Sequence, residues 1–280
     1  MLNLNSPLKW ASRIQELPVL SRLSPAMDKE FSKSQKAGFL ASQTLALSTA
    51  KEIAELIQEG WTEIEAAKLF ETALRDRGVN SFFHKPFVWF GEHTRFDNYK
   101  KYKDFQPGQR RVRPGEAIIL DAAPIYRGFI SDIGYSCSLG ENAEVDKAKK
   151  YLEQLKIKIP SVFNDAKSGS QVWKEIEADI LGAGYDNIHK LYPMSVLGHR
   201  VHESREEGSV LTHLHFGWQS YWTLISRGVF GQILSPNYEG NLKGLWAIEP
   251  HIGGKDFGAK FEEILVVDDN GARWLSEETK

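Results

Sequence analysis

From Met27 to Gln58 the apolar positions Phe31, Leu45, Ile53, Leu56 and Ile57, with the small Gly38, recur among polar neighbours at helical spacing, and Gly60 closes the segment. This pattern predicts a long amphipathic helix. Thr62 followed three residues later by Glu65 has the form of a capping box, opening a second helix through Ala67, Phe70 and Leu74 to about Arg77. The period then changes: Ser81 to Phe90 is aromatic and strand-like, and Pro86, which has no N–H to donate, predicts an edge or a bulge within it. After the turn signal Pro114-Gly115, Ala117 to Ala123 reads as a buried strand and Gly128 to Ser138 as its hairpin partner. A second helix pair follows, Val145 to Phe163 with Leu152, Leu155 and Ile159 on one face, and Val172 to Leu181. Strands return at Leu245 to Pro250 and Phe261 to Val267, and Asp269-Asn270-Gly271 predicts a tight turn before Trp274. Helix pair and strands, each used twice, imply one α+β domain with internal pseudo-symmetry.

Composition narrows the classes. A chain of 280 residues, 41% hydrophobic and 26% charged, is that of an ordinary globular protein. Its 35 basic and 37 acidic residues nearly cancel, so nothing draws it to nucleic acid or to an anionic membrane surface. No apolar run is long enough to span a bilayer, and residues 1–25 lack the continuous apolar stretch of a signal peptide. The lone Cys137 has no internal disulfide partner and fits a reducing compartment, so a cytoplasmic location is expected.

Three groups of residues carry candidate chemistry. Asp121 and Asp132 lie on a predicted hairpin that can bring both carboxylates to one end of a sheet; there they either surround a cation or are solvated turn acids. Glu249 and Glu262 each follow apolar residues of a predicted strand, where an ionised carboxylate needs a partner or a metal unless the strand end faces water. The stretch LGHRVHE supplies His199, His202 and Glu203; histidines can be metal ligands, proton carriers or ordinary structural residues.

The ordered set resembles one family. Leu120-Asp121 through Ser131-Asp132-Ile133, then Tyr192 to Glu203, Ile248-Glu249-Pro250, and Ala259-Lys260-Phe261-Glu262 with Ile264 to Gly271 are similar, in order and spacing, to the motifs of the pita-bread metallohydrolases: methionine aminopeptidase, aminopeptidase P and creatinase. The resemblance implies that fold, with pseudo-symmetric helix pairs on a curved, mainly antiparallel sheet. It implies a residue 1–26 extension and a catalytic-type domain over 27–280, with an insertion at about 204–244. It also implies two divalent ions (Mn, Fe, Co or Zn) held by Asp121, Asp132, Glu249 and Glu262, activating water to hydrolyse a small peptide-like or amide substrate. Two positions depart from the family pattern. Its metal-binding histidine falls on Ser195, a far weaker ligand, which weakens one metal position. Its earlier active-site histidine falls on Asn98, which can hydrogen-bond a carbonyl but cannot carry a proton.

By the same resemblance His202 is the residue that positions substrate or transfers a proton, with Glu203 orienting it, and Asn98, Ser195 and His199 contribute to substrate binding. His213 or His215 in the aromatic-rich insertion is a candidate replacement ligand. Two other functions share this carboxylate set: an iron-dependent, oxygen-using enzyme, and a catalytically silent relative that only binds. A homodimer is compatible with the resemblance.

Overall fold

Ser32 sets the start of helix α1 (Lys33–Leu56), later than the Met27 start read from the pattern: its hydroxyl accepts from the Gln35 N–H while the Gln35 side chain accepts from the Ser32 N–H, closing a capping box. In the computed structural model, residues 30–97, 102–203 and 233–278 are described. The 1–26 extension, Asn98, His213 and His215 lie outside them. Helix α2 (Glu63–Asp76) opens on the predicted Thr62/Glu65 box. Strand β1 (Ser81–Phe90) runs antiparallel to β2 (Ala117–Tyr126), and its register slips between His84 and Phe87, where Pro86 cannot donate to the ladder.

The predicted hairpin partner of β2 is split. It forms β3 (Phe129–Ile130) and β4 (Ile133–Ser138), both paired with β2, and Ser131 and Asp132 occupy the break. Helix α3 (Ala143–Asp165) is capped by Asn142 and tolerates Pro160 inside it; α4 (Gly169–Gly182) follows Ser168. The C-terminal half contains short strands β5 (Asp186–Asn187), β6 (Gly198–Arg200), β7 (Ile233–Leu234), β8 (Gly244–Ile248), β9 (His251–Gly253) and β10 (Gly258–Lys260). It ends with β11 (Glu263–Asp268) and β12 (Gly271–Trp274), joined by the predicted two-residue turn.

All pairings among the described residues are antiparallel, in a sheet built on β2, one ordered β10-β9-β5, and one ordered β12-β11-β8-β6-β7. The helix pairs bury separate cores. Ala46, Ile53, Phe70 and Leu74 of α1 and α2 pack on Phe82, Val88, Ile118 and Leu120, whereas Leu152, Leu155, Ile159, Val172 and Ile176 of α3 and α4 pack on Trp246, Ile248, Leu265 and Trp274. Phe39 on the other side of α1 reaches Leu245, Ala247 and Ile264, so α1 joins the halves. Backbone bridges Gly134↔Glu262 and Phe129↔Glu203 stitch the first sheet to the C-terminal strands. The α+β pita-bread architecture implied by the motifs is the one observed, and its acids lie along this seam.

Candidate metal centre

Asp121 sits mid-strand in β2, opposite Phe87 of β1 and Gly134 of β4, so its side chain is committed to the interior. Asp132 occupies the break between β3 and β4, where leaving the ladder turns its carboxylate toward the seam. Glu249 directly follows β8 with its N–H donated to Leu197 O at 2.8 Å, and Glu262 joins β10 to β11 with its backbone paired to Gly134. The four acids are only 2–8% exposed. This burial removes the alternative of solvated turn acids, and like charges so placed require neutralisation.

Two histidines supply part of it. His84 Nε2 lies 3.2 Å from both Asp132 oxygens and 3.5 Å from Asp121 Oδ1, while its Nδ1 is 3.0 Å from Lys85 O. His199 Nε2 lies 3.1 Å from Asp132 Oδ2 and 3.6 Å from Glu262 Oε1, with Nδ1 3.2 Å from Arg200 O. In both rings Nδ1–H donates to a backbone carbonyl, which fixes the ring and aims Nε2 at the carboxylates. That is the tautomer a metal-binding imidazole needs. Without an ion, each Nε2 must also carry a proton to face a carboxylate. Burial alone would lower both pKa values, but Asp132 and Asp121 push His84 up to about 9, and Asp132 and Glu262 hold His199 well above its usual range. Burial also tends to raise Asp132, yet the two rings keep it well below the ordinary carboxylate range.

The third neutralising group is Lys260. Its Nζ donates to Asp121 Oδ2 at 2.6 Å, Glu249 Oε2 at 3.0 Å and Glu262 Oε2 at 3.0 Å, and the residue is 2% exposed. Burial pushes Asp121 up to about 6 and, together with repulsion from Glu262, Glu249 up to about 8; in both, Lys260 opposes the rise. Burial disfavours the Lys260 ammonium as well, but the three acids outweigh it and hold its pKa well above normal.

The cluster therefore has two sides. His84, Asp132, His199 and Glu262 present nitrogen and oxygen ligands that fit a divalent ion: His84, Asp121 and Asp132, and likewise Asp132, His199 and Glu262, place ligand atoms within 4.8 Å of one another. Glu262 Oε1 is buried with no hydrogen-bond partner, an acceptor aimed at that side. Asp121, Glu249 and the other Glu262 oxygen close around Lys260.

All four predicted acids thus meet. His199, read as a substrate-binding residue, lies among them. His202 is buried, and its carbonyl accepts from Ile130 N at 3.3 Å; Glu203 accepts from Gln35 Nε2 at 3.0 Å. Ser195 adopts a left-handed backbone (φ 52°), and its hydroxyl donates to Lys190 O at 3.0 Å. Sequence reasoning missed His84 and Lys260 as site residues. The signals were a lone histidine in a strand preceding the aspartate strands, and a lysine two residues before Glu262, on the same face of an extended chain.

Residues 37–269 match the model of metallopeptidase family M24. An uncharacterized peptidase from Staphylococcus aureus (strain USA300) is 28% identical over 114 residues, covering 41% of this chain and 29% of that protein, so the chain spans less than a third of such curated relatives. Among solved structures, a dipeptidase from Pyrococcus horikoshii OT3 superposes with a TM-score of 0.65 at 23% identity, over 87% of this chain and 60% of that one. The X-Pro aminopeptidase from Thermotoga maritima MSB8 gives 0.65 at 16% identity, over 96% and 64%. Methionine aminopeptidase from Rickettsia prowazekii gives 0.60 at 14% identity, over 89% and 99%.

Proposed function

The chain belongs to metallopeptidase family M24, and from that membership and the geometry of the buried cluster we propose that it is a metal-dependent hydrolase of a small peptide-like or other C–N bond. The observation that carries the proposal is the meeting of two ligand-spaced triads, His84–Asp121–Asp132 and Asp132–His199–Glu262, at the shared Asp132, with both imidazole Nε2 atoms facing its carboxylate. These residues would hold the ion. The chemistry it supplies when bound is polarisation of the scissile carbonyl and activation of water at neutral pH.

The remaining tasks fall to the chain's own groups. Asp132 stays ionised between the two histidines and fixes the angle between their rings. Glu249, whose carboxylate accepts from the Lys260 ammonium at 3.0 Å, holds its charge on the lysine side of the cluster. His202 stays the candidate for positioning substrate from the strand edge after β6. The dipeptidase and X-Pro aminopeptidase likeness makes dipeptides and Xaa-Pro peptides the first substrates to try.

Lys260 favours a second reading, a silent binding relative, because its ammonium already satisfies part of the acidic cluster. One experiment separates the two. Purified protein is stripped with chelator, reloaded with Mn, Co, Zn or Fe, and tested on Xaa-Pro dipeptides, N-terminal-methionine tripeptides and simple amides, with Asp132→Asn alongside. Hydrolysis that requires metal and disappears in Asp132→Asn supports the enzyme; metal uptake with no turnover of any substrate supports the silent relative.

A further inference from the structure

We infer that Lys260 is a built-in cation standing in for one of two ions, so that the site takes a single divalent metal, on the His84–Asp132–His199–Glu262 side. The inference rests on the reading of this cluster as a metal centre and specifies how many ions it accepts.

Its first support is geometric. Lys260 Nζ is 2.6–3.0 Å from oxygens of Asp121, Glu249 and Glu262, which are three of the four acids implied as ligands of a two-ion site. A divalent ion bound by the same oxygens would sit roughly 2.0–2.2 Å from them, inside the volume that the ammonium fills. The two cations exclude each other. The opposite side is different: both Asp132 oxygens, Glu262 Oε1 and the two Nε2 atoms lie away from the ammonium contacts, and Glu262 Oε1 has no hydrogen-bond partner.

The fold, secondly, is shaped to deliver the ammonium. Lys260 ends β10, and its backbone is pinned to β4 in both directions: its N–H donates to Ser136 Oγ at 2.8 Å, and Ser136 Oγ donates to Lys260 O at 2.7 Å. The side chain then passes over Gly134, where an added Cβ would lie 2.6 Å from Lys260 Cε and 3.2 Å from Cδ and Cγ. Gly134 sits directly opposite Asp121 in the β2–β4 register, so the missing side chain leaves a channel leading the lysine stem to the carboxylates. Tyr192 flanks the path, with Nζ 5.8 Å from its ring centre.

The test counts metal rather than activity. Chelator-stripped wild type and Lys260→Met, which keeps the stem length and removes the charge, are equilibrated with Mn or Zn, desalted and analysed for metal per chain, with titration calorimetry for affinity. The expected result is about one ion in wild type and about two in Lys260→Met, the second occupying Asp121, Glu249 and Glu262. Two ions in wild type, or one in both proteins, overturns the inference and leaves the metal-centre reading intact. None in wild type but one in Lys260→Met overturns the metal-dependent reading of the native site while sustaining the role of the lysine. None in either overturns both. Should Lys260→Met fail to fold, anomalous diffraction from Mn-soaked wild-type crystals decides the question. A single peak among His84, Asp132, His199 and Glu262, with lysine density at the other acids, supports the inference; two peaks overturn it.

Discussion

Lys260→Met also makes a prediction about stability in the absence of metal. The substitution removes the ammonium from Asp121, Glu249 and Glu262, at 2.6, 3.0 and 3.0 Å, and leaves His84 Nε2, 3.5 Å from Asp121, and His199 Nε2, 3.6 Å from Glu262, as the positive groups that still face these acids. The three acids are 4%, 8% and 2% exposed, so water cannot take its place. Breaking a buried ion network by deleting one partner costs about 3–5 kcal/mol, because the charges left behind stay desolvated. For a chain of this size about 2 °C of melting temperature is lost per kcal/mol, so Lys260→Met in chelator at pH 7 should melt roughly 6–10 °C below wild type. The deficit should shrink as pH falls, since the stranded carboxylates can then be protonated in the folded state. Saturating the variant with divalent ion at about 100 times the dissociation constant should return about 2.7 kcal/mol for the added site. Thermal melts followed by circular dichroism, with and without chelator, measure all of this. Lys190→Met is the control: this lysine pairs with Glu177 at the surface, its side chain 59% exposed, and the change should stay within about 0.5 kcal/mol. A chelated Lys260→Met protein melting within about 2 °C of wild type would refute the reasoning, because Lys260 would then not be the neutralising group.

Three further outcomes are expected. His189 is fully buried, neither ring nitrogen has a hydrogen-bond partner, and burial with the neighbouring Lys190 charge depresses its pKa to about 3. Above pH 6.5 the ring is neutral folded and unfolded; as pH falls toward 3 only the unfolded chain takes up the proton, so stability should drop by about 1.4 kcal/mol per pH unit. Denaturant titrations at pH 6.5 and 5 should show about 1.6 kcal/mol less of that loss in His189→Leu than in wild type, and equal losses would contradict the assignment. Gly258→Ala would put a Cβ 2.2 Å from Thr94 O, a backbone atom that cannot swing aside, and should cost about 3 kcal/mol or more in chemical denaturation. Asn142→Ala removes an N-cap that accepts from Glu144 N and Val145 N, as well as a 2.6 Å bond to Gly115 O, and should lower unfolding free energy by about 1–2 kcal/mol without changing metal content.

The readable parts of the molecule are those governed by local rules. The Thr62/Glu65 capping box, the bulge at Pro86 and the Asp269-Asn270 turn each follow from a few adjacent residues, and each is present. The split between β3 and β4 was not readable, because Ser131 and Asp132 leave the ladder for tertiary reasons: Ser131 Oγ pairs with Ser42 of α1, and Asp132 is drawn between His84 and His199. The order of motifs brought out the four acids, since each lies in a stretch with its own recognisable spacing.

His84 and Lys260 were hidden for a different reason, and it bears on how such sites change. A ligand is legible when the residue types around it announce it; a cation that replaces an ion needs only a stem of the right length on the right face and an opening to pass through. Here the opening is Gly134, more than a hundred residues away in sequence, and the face follows from the two-residue spacing between Lys260 and Glu262. Neither signal is visible without the β2–β4 register that sets Gly134 opposite Asp121. The same logic applies to the imidazoles. Ser195 turns its hydroxyl to Lys190 O, while His84 and His199, on β1 and β6, bring imidazoles to Asp132 from two other directions. What the fold holds fixed is a concentration of buried negative charge at the seam. Which side chains answer it can shift from one strand to another, provided the compensating charge arrives within hydrogen-bonding distance, and in this chain it arrives as two imidazoles and one ammonium.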